Sequence, residues 1–255
     1  MGRVIINSDD FGYSRGINYG IMDAFNQGIL TSTTLMTNTP GFKQAVELAK
    51  EHPKLGIGVH LTLTFLKPLN HKVNTLTDPS GNFHKLAEYN QSNVKVDLNE
   101  LYEEWDQQIK KVIHNGIDPT HLDSHHHLHT FGDHQEVVIE LARKYDLPVR
   151  GNFERKNEVK TTDHFIADFD PIGEWMQSKE KQQMATTYLN ELYEILLDQE
   201  TVEIMCHAGY IDQFVKTHTS YYNPRIFQTD LLIHSKFAQK LKRDSRIELV
   251  SYKNL

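Results

Sequence analysis

The sequence predicts an α/β protein of about seven parallel strands, closer to a (β/α) barrel than to an open sheet. Three observations support this class. The first 64 residues follow the order β-α-β-α-β, which joins parallel strands through crossover helices. Strand and helix patterns keep alternating toward the end of the chain. Acidic and imidazole side chains gather where predicted strands end, as they do in barrels with functional rims.

The first part of the chain alternates regularly. The apolar run in Val4–Ser8 predicts a strand, and apolar residues at helical spacing in Gly16–Gln27 predict a helix. The β-branched run Thr31–Thr37 predicts the second strand, and the apolar stripe of Gly41–Glu51 predicts the second helix. In Leu55–Thr64, apolar residues alternate with glycine and polar residues, which is the two-residue period of a third strand.

The rest of the chain continues the pattern after an interruption. Residues Lys67–Leu98 are polar and rich in turns, and we interpret them as an excursion from the barrel. Gly151–Gln182 shows little periodicity and predicts a loop region with local structure. Further helices are predicted at Asn99–Asn115, Gln135–Tyr145, Gln183–Leu197 and Thr229–Arg243. Further strands are predicted at Thr120–His129, Pro148–Arg150, Val202–Cys206 and Ile247–Ser251. We expect residues 1–255 to form one domain.

Composition limits the classes of function. The chain has 27 Lys and Arg against 34 Asp and Glu, which disfavours a nucleic-acid partner. Its one cysteine, Cys206, indicates a reducing compartment, and we expect this thiol to be a buried strand residue. No apolar run approaches the ~18 residues of a membrane span, and the first residues lack a signal-peptide pattern. We therefore expect a cytoplasmic protein that binds neither nucleic acid nor membrane.

Two adjacent carboxylates, Asp9 and Asp10, follow the first apolar run. Desolvation and mutual repulsion oppose such a pair, so a positive group is expected opposite them. An acidic turn at the start of helix Gly16–Gln27 would explain one carboxylate but not two beside a buried strand. As neighbours in a strand, their side chains should point to opposite faces.

Histidine is the most unusual feature, with 15 in the chain and five between residues 121 and 129. If this segment is a strand, alternate residues share a face: His121, Asp123, His125, His127 and His129. A lone strand histidine is usually structural, but this cluster favours a metal site in which Asp123 orients a ligating imidazole. His60 lies near the end of the third strand, beside Gly56 and Gly58, which leave space as if for a ligand. His207 follows Val202–Cys206.

A divalent cation would balance the charges at this rim. One carboxylate could ligate it with two histidines, and the other could act as general base on water. Three protein ligands leave open the positions that a catalytic site needs. This set of ligands suits zinc, manganese, nickel or magnesium, so the residues do not select the metal.

These motifs resemble those of the YdjC-type carbohydrate deacetylases, which act on chito-oligosaccharides. The matching stretches keep the family's order and span most of the chain: Asn7–Gly12, Thr31–Thr34, Gly58–His60, Pro119–His129 and Met205–Tyr210. Ala208 stands where the family usually has proline, a departure that leaves His207 in place. The resemblance implies a distorted (β/α) barrel of the glycoside hydrolase/deacetylase kind, one magnesium or zinc ion and a homodimer.

The resemblance also implies roles for individual residues. By position in the motifs, the metal ligands are Asp10, His60 and His125. Asp9 becomes the general base and His207 the general acid, with His127 as the competing residue for the acid. Arg225 orients a carboxylate, contacts substrate or is a surface arginine.

The expected function is removal of the N-acetyl group from a small amino-sugar oligosaccharide, such as diacetylchitobiose or its 6-phosphate, with release of acetate. A glycoside hydrolase is an alternative, but it needs two carboxylates about 5–9.5 Å apart across the scissile bond. Adjacent strand residues that point to opposite faces fit this requirement poorly. A metal-dependent phosphoesterase is a second alternative. A non-enzymatic metal- or sugar-binding protein is a third, and it would tolerate replacement of Asp9.

Overall fold

The computed structural model describes residues 1–91 and 93–255, and Ser92, within the predicted excursion, lies outside the described residues. The strands are β1 (Gly2–Phe11), β2 (Ser32–Leu35), β3 (Gly56–Leu61), β4 (Leu122–Ser124), β5 (His164–Ile166), β6 (Thr201–Cys206) and β7 (Ile247–Leu249). They pair in parallel in the order β4-β3-β2-β1-β6-β5, and β7 pairs with β1. The sheet curls into a half-barrel with helices around it, which confirms the predicted distorted barrel class.

Helices cover the sheet. They are α1 (Arg15–Asn26), α2 (Phe42–Glu51), α3 (Leu86–Asn90), α4 (Leu98–His114), α5 (His134–Tyr145), α6 (Phe169–Trp175), α7 (Gln182–Asp198), α8 (Gln213–His218), α9 (Asn223–His234) and α10 (Lys236–Arg243). Five predicted helices agree with α1, α2, α4, α5 and α7 to within one residue at each end. Within the described ranges, no helix combines the length and apolar character needed to cross a membrane.

One predicted helix, Thr229–Arg243, is wrong in its bounds because the chain forms two helices, α9 and α10, there. Ser235 between them is extended, with φ −66° and ψ 156°, and its side chain accepts a hydrogen bond from the Ala238 amide at 3.0 Å. A serine in this position caps the second helix while ending the first.

Two strand predictions, Thr120–His129 and Pro148–Arg150, are also wrong. The strand predicted at Thr120–His129 stops at Ser124, and a 3₁₀ segment, His125–Thr130, follows. The segment Pro148–Arg150 forms only an isolated bridge to β4. The local structure expected within the loop region Gly151–Gln182 consists mainly of β5 and α6. A three-residue strand is too short to show a period, and α6 contains a proline and a glycine, which disfavour a helix assignment.

The strand β1 lies at the centre of the sheet. It pairs with β6 along Arg3–Ser8, while β7 lies beside its beginning and β2 beside its end. Ile5 packs with Val250 and Tyr252 in a small apolar cluster. The two acidic residues of β1 come near its C-terminal end, and β2, β3, β4 and β6 end on the same side of the sheet because all these strands are parallel.

The space beside Gly56 and Gly58 is filled by the protein itself, so the interpretation that it admits a ligand is wrong. A Cβ at Gly58 would lie 2.6 and 2.7 Å from the two ring nitrogens of His121, and one at Gly56 would lie 2.9 Å from the Cβ of Ser251. The His121 ring is fixed in turn by stacking on Tyr252, with ring centres 3.8 Å apart.

Replacing Gly58 with alanine should therefore destabilise the fold by about 1–3 kcal/mol, the usual cost of overpacking a core. Denaturant unfolding measures this change in free energy. The matched control is the same substitution in a His121→Ala background, where the added methyl group has room. An equal cost in both backgrounds would contradict the packing explanation.

Candidate active site

A cavity of ≈ 350 Å³ opens at the C-terminal ends of the central strands. Its lining includes all the residues that the sequence predicts for the site: Asp9, Asp10, His60, His125, His127, His207 and Arg225. Aromatic side chains, including Tyr13, Phe65 and Tyr221, form much of the remaining wall. The structure thus brings together side chains from four strand ends, as expected for a parallel barrel.

Both carboxylates of the Asp9–Asp10 pair line this cavity, so the prediction that they point to opposite faces is wrong. Between Ser8 and Phe11, β1 carries one more residue than β2 opposite it. Asp10 has a left-handed backbone, with φ 72°. Such a bulge interrupts the alternation of a strand and redirects a side chain. The helix-cap alternative is also wrong, because Ser14 caps α1.

Asp10, His60 and His125 form a compact group whose ligand atoms all lie within 4.8 Å of one another. Asp10 Oδ1 lies 3.1 Å from His125 Nδ1 and 3.5 Å from His60 Nε2. This oxygen is buried, yet it accepts no hydrogen bond from any described residue. An unpaired carboxylate oxygen facing two imidazole nitrogens fits a divalent cation, which prefers these donor atoms.

His60 is oriented by its second nitrogen. His60 Nδ1 lies 2.8 Å from Asp123 Oδ1 and 3.1 Å from Thr34 Oγ1, so Nε2 faces Asp10. This is the orienting contact predicted for Asp123. Although burial disfavours the imidazolium, Asp123 and Asp9 raise the pKa of His60 to about 10. The surroundings of Nε2 therefore favour positive charge, which a proton or a metal ion can supply.

Arg150 is a site residue that the sequence analysis did not identify. It is fully buried, and its Nη1 and Nη2 donate to the two oxygens of Asp9 at 2.8 and 2.6 Å. Nη2 also lies 2.9 Å from both Asp123 Oδ2 and Glu203 Oε1. Burial raises the pKa of Asp9, but Arg150 outweighs it and holds that pKa well below its usual range.

The second carboxylate has its own arginine. Arg225 Nη2 donates to Asp10 Oδ2 at 2.5 Å, and the side chain is only 4% exposed, so the surface interpretation of Arg225 is wrong. Burial opposes ionisation of Asp10, yet Arg225 and His125 hold its pKa well below the usual range. The positive groups expected opposite the two carboxylates thus include two arginines, Arg150 and Arg225. In a second group of possible ligands, Asp9, His60 and Asp123, both carboxylates already pair with Arg150.

His207, directly after β6, is paired with an acid from the predicted loop region. Its Nδ1 lies 2.8 Å from Asp170 Oδ1, and Asp170 also accepts hydrogen bonds from Tyr221 and Gln228 at 3.0 and 3.1 Å. Burial disfavours the imidazolium, but the Asp170 carboxylate raises the pKa of His207 above its ordinary value. By contrast, burial and then the charge of Arg150 lower the pKa of His127 to about 4.

Comparison with known proteins identifies relatives of this chain. Residues 3–243 match the sequence profile of the family described as YdjC-like protein. The chain belongs to this family. It is 40% identical to a carbohydrate deacetylase of Halalkalibacterium halodurans over 240 residues, which cover 93% of this chain and 98% of the relative. It is 38% identical to a carbohydrate deacetylase of Clostridium beijerinckii over 257 residues, which cover 99% and 100%.

Solved structures agree with this assignment. A crystal structure from Enterococcus faecalis, described as that of a proposed cellobiose-phosphate cleavage protein, is similar with a TM-score of 0.86 and 32% identity. The match covers 99% of this chain and 98% of that one. An uncharacterised Agrobacterium tumefaciens protein, at 11% identity and a TM-score of 0.53, shares the fold. The resemblance predicted from the YdjC-type motifs is confirmed.

The His-rich segment of this YdjC-like chain divides into two kinds of residue. His121 stacks on Tyr252, and His129 lies between Ser124 and Asn152 at 2.6 and 2.9 Å, so both are structural. The cavity-lining members are His125, His126 and His127. The single histidine face predicted for a strand is wrong, because two successive residues, at 126 and 127, are left-handed with φ 57° and 56°. Histidine tolerates this conformation better than most residues, and it occurs often at functional sites.

Two site residues, Arg150 and Asp170, are absent from the sequence-based predictions. Arg150 ends a predicted strand, and an arginine at the end of a buried strand is a signal that could have identified it. Asp170 lies in an aperiodic segment that gives no such signal.

Replacing Asp123 with asparagine should weaken binding of one equivalent of Zn²⁺ or Mn²⁺ about 10- to 100-fold, because the residue that orients His60 loses its charge. Isothermal titration calorimetry measures the affinity and the stoichiometry. The control is His84→Ala, since His84 pairs with Glu88 away from the cavity. Unchanged affinity in Asp123→Asn would contradict a metal site at His60.

Proposed function

We propose that this chain removes the N-acetyl group from a small amino-sugar oligosaccharide, with diacetylchitobiose or its 6-phosphate as substrate, and releases acetate with the help of one divalent metal ion. The observation that carries the proposal is the cavity in which the unpaired Asp10 oxygen faces His60 and His125 beside an ionised Asp9. The relatives named carbohydrate deacetylases support the reaction, and the description of the Enterococcus faecalis protein supports a phosphorylated disaccharide.

Asp10, His60 and His125 would hold the metal. When bound, a Zn²⁺ or Mg²⁺ ion would polarise the acetyl carbonyl and make a nearby water more acidic. Asp123 keeps His60 in the orientation that presents Nε2 to the site. Arg225 donates to Asp10 Oδ2, which leaves Asp10 Oδ1 for the ion.

Asp9 would act as the general base. Its Oδ1 accepts hydrogen bonds from Arg150 and from Asn7 Nδ2 at 3.0 Å, and its Oδ2 accepts one from Arg150. These contacts keep the carboxylate ionised and fixed in the cavity wall. The proton leaves the water for Asp9 as the water oxygen attacks the acetyl carbon.

His207 would act as the general acid toward the departing amine. Asp170 favours its protonated form, whereas the lowered pKa of His127 keeps that imidazole neutral near pH 7. The structure therefore supports His207 over His127 for this role. As the carbon–nitrogen bond breaks, the sugar nitrogen takes the proton and acetate is left.

Both carboxylates line the cavity, so their protonation state, rather than the direction of their side chains, decides against a glycoside hydrolase. A glycosidase requires one carboxyl group that is protonated near neutral pH. Arg150 and Arg225 lower the pKa values of Asp9 and Asp10 instead.

The proposal also includes a cytoplasmic location and a homodimer. Analytical ultracentrifugation tests whether the protein is a homodimer.

Asp9→Asn should reduce acetate release from diacetylchitobiose about 10²- to 10⁴-fold, because the base is lost. Chelation should abolish release by the wild type, and Asp9→Asn should keep one equivalent of bound metal. Acetate, reducing ends and phosphate are assayed in parallel. Reducing ends or phosphate without acetate would replace the proposal by the glycosidase or the phosphoesterase, and none of the three would favour a binding protein.

Asp170→Asn should shift the pH dependence of kcat/KM. An acid must be protonated, so activity falls as pH rises through the pKa of His207, which Asp170 raises. Without that carboxylate the fall should begin at lower pH. The control Asp168→Asn removes a carboxylate that pairs with Tyr188 instead, and should leave the profile unchanged. An unshifted basic limb in Asp170→Asn would contradict the role of His207.

A further inference from the structure

Several buried polar atoms of the cavity lack a hydrogen-bond partner among the described residues. They are Asp10 Oδ1, Tyr13 Oη, His127 Nδ1 and Arg225 Nη1, and all four side chains line the cavity. Buried polar groups are nearly always paired, so a group of unpaired ones in one cavity indicates contacts that a ligand completes. The metal ion proposed above accounts for the Asp10 oxygen. It does not account for the hydroxyl of Tyr13 or the Nη1 of Arg225, which carry protons to donate.

Both donors are held rigidly. Arg225 Nε donates to the Tyr221 carbonyl at 2.9 Å and Nη2 donates to Asp10, so Nη1 is the part of the guanidinium left for a ligand. Tyr13 is 2% exposed, and its ring stacks on Phe65 with centres 4.8 Å apart. The two side chains are neighbours, since the guanidinium carbon of Arg225 lies 5.9 Å from the centre of the Tyr13 ring.

Their position relates them to the reacting group. Arg225 binds one oxygen of Asp10, and the other oxygen of the same carboxylate faces His60 and His125. The guanidinium thus contacts one of the proposed metal ligands, Asp10, directly. A carbonyl group that reacts next to these ligands therefore comes close to Arg225 and its neighbour Tyr13.

We propose that Tyr13 and Arg225 donate hydrogen bonds to the carbonyl oxygen of the substrate's acetyl group and stabilise the negative charge that it acquires. This inference rests on the proposed function. When water adds to the carbonyl carbon, the π electron pair moves to this oxygen and the proton of the water goes to Asp9. The pair returns as the carbon–nitrogen bond breaks and His207 protonates the nitrogen. Preorganised donors act most strongly on charge that develops only in the transition state.

The same donors could bind a different oxygen anion, the phosphate of a phosphorylated sugar. The two roles have different kinetic consequences. A donor to the reacting oxygen contributes to kcat on every substrate, whereas a donor to a sugar phosphate contributes to binding of the phosphorylated substrate alone.

The test compares Tyr13→Phe and Arg225→Lys with wild type on diacetylchitobiose and on its 6-phosphate, with the bound metal of each variant measured. Tyr13→Phe removes one oxygen atom and keeps the ring packing. The matched control is Tyr89→Phe, because the Tyr89 hydroxyl is also buried and unpaired but lies in α3, outside the cavity lining. We expect kcat to fall about 10²- to 10³-fold in Tyr13→Phe and in Arg225→Lys on both substrates. KM and metal content should stay unchanged, and Tyr89→Phe should behave as wild type.

Other outcomes would overturn the inference. An unchanged kcat in Tyr13→Phe would show that the Tyr13 hydroxyl takes no part in the reaction. Loss of metal from Arg225→Lys would show that Arg225 only holds Asp10 in place. A rise in KM confined to the 6-phosphate would assign the donors to the phosphate. A wild-type protein that releases no acetate would overturn the proposed function itself, and this result is distinct from an active wild type with unaffected variants.

Discussion

Arg150, a fully buried cation, connects the fold to the site. Its guanidinium contacts carboxylates on three strands, Asp9 on β1, Asp123 on β4 and Glu203 on β6, and these strands meet around it only because the sheet curls. Tyr252 donates to Glu203 and so adds the segment after β7 to the network. Breaking a buried ion pair from one side costs about 3–5 kcal/mol, because the remaining charge is left uncompensated. The barrel interior and the site therefore depend on the same contacts.

The two arginines explain how adjacent carboxylates can differ in role. Arg150 donates to both oxygens of Asp9, which keeps that residue ionised and gives each of its oxygens a hydrogen-bond partner. Arg225 engages one oxygen of Asp10 and leaves the other unpaired next to His60 and His125. On this geometry Asp10 suits a metal ligand and Asp9 suits a base. The residue types alone do not make this assignment, which the sequence supports only through motif positions shared with the family.

The sequence was informative where periodicity is strong and silent where local geometry decides. Five helices were placed to within one residue because each shows an apolar stripe, and the site rim followed from the parallel order of the strands. The β-bulge at Asp10 and the left-handed pair at residues 126 and 127 break the alternation on which the strand predictions relied. These departures lie in the site, where they direct the side chains of the two acids and of the histidines in the His-rich segment toward one cavity. Asp170 was missed because its helix contains Pro171 and Gly173, which hide any helical pattern.

The central claim is that Asp10, His60 and His125 hold one divalent ion beside Asp9. Anomalous diffraction from crystals of the Mn²⁺-loaded protein tests it most directly. We expect a single peak within coordination distance of Asp10 Oδ1, His60 Nε2 and His125 Nδ1, with Asp9 still bound to Arg150. A peak among Asp9, His60 and Asp123 with Arg150 displaced, or none in the cavity of a protein that releases acetate, would contradict it.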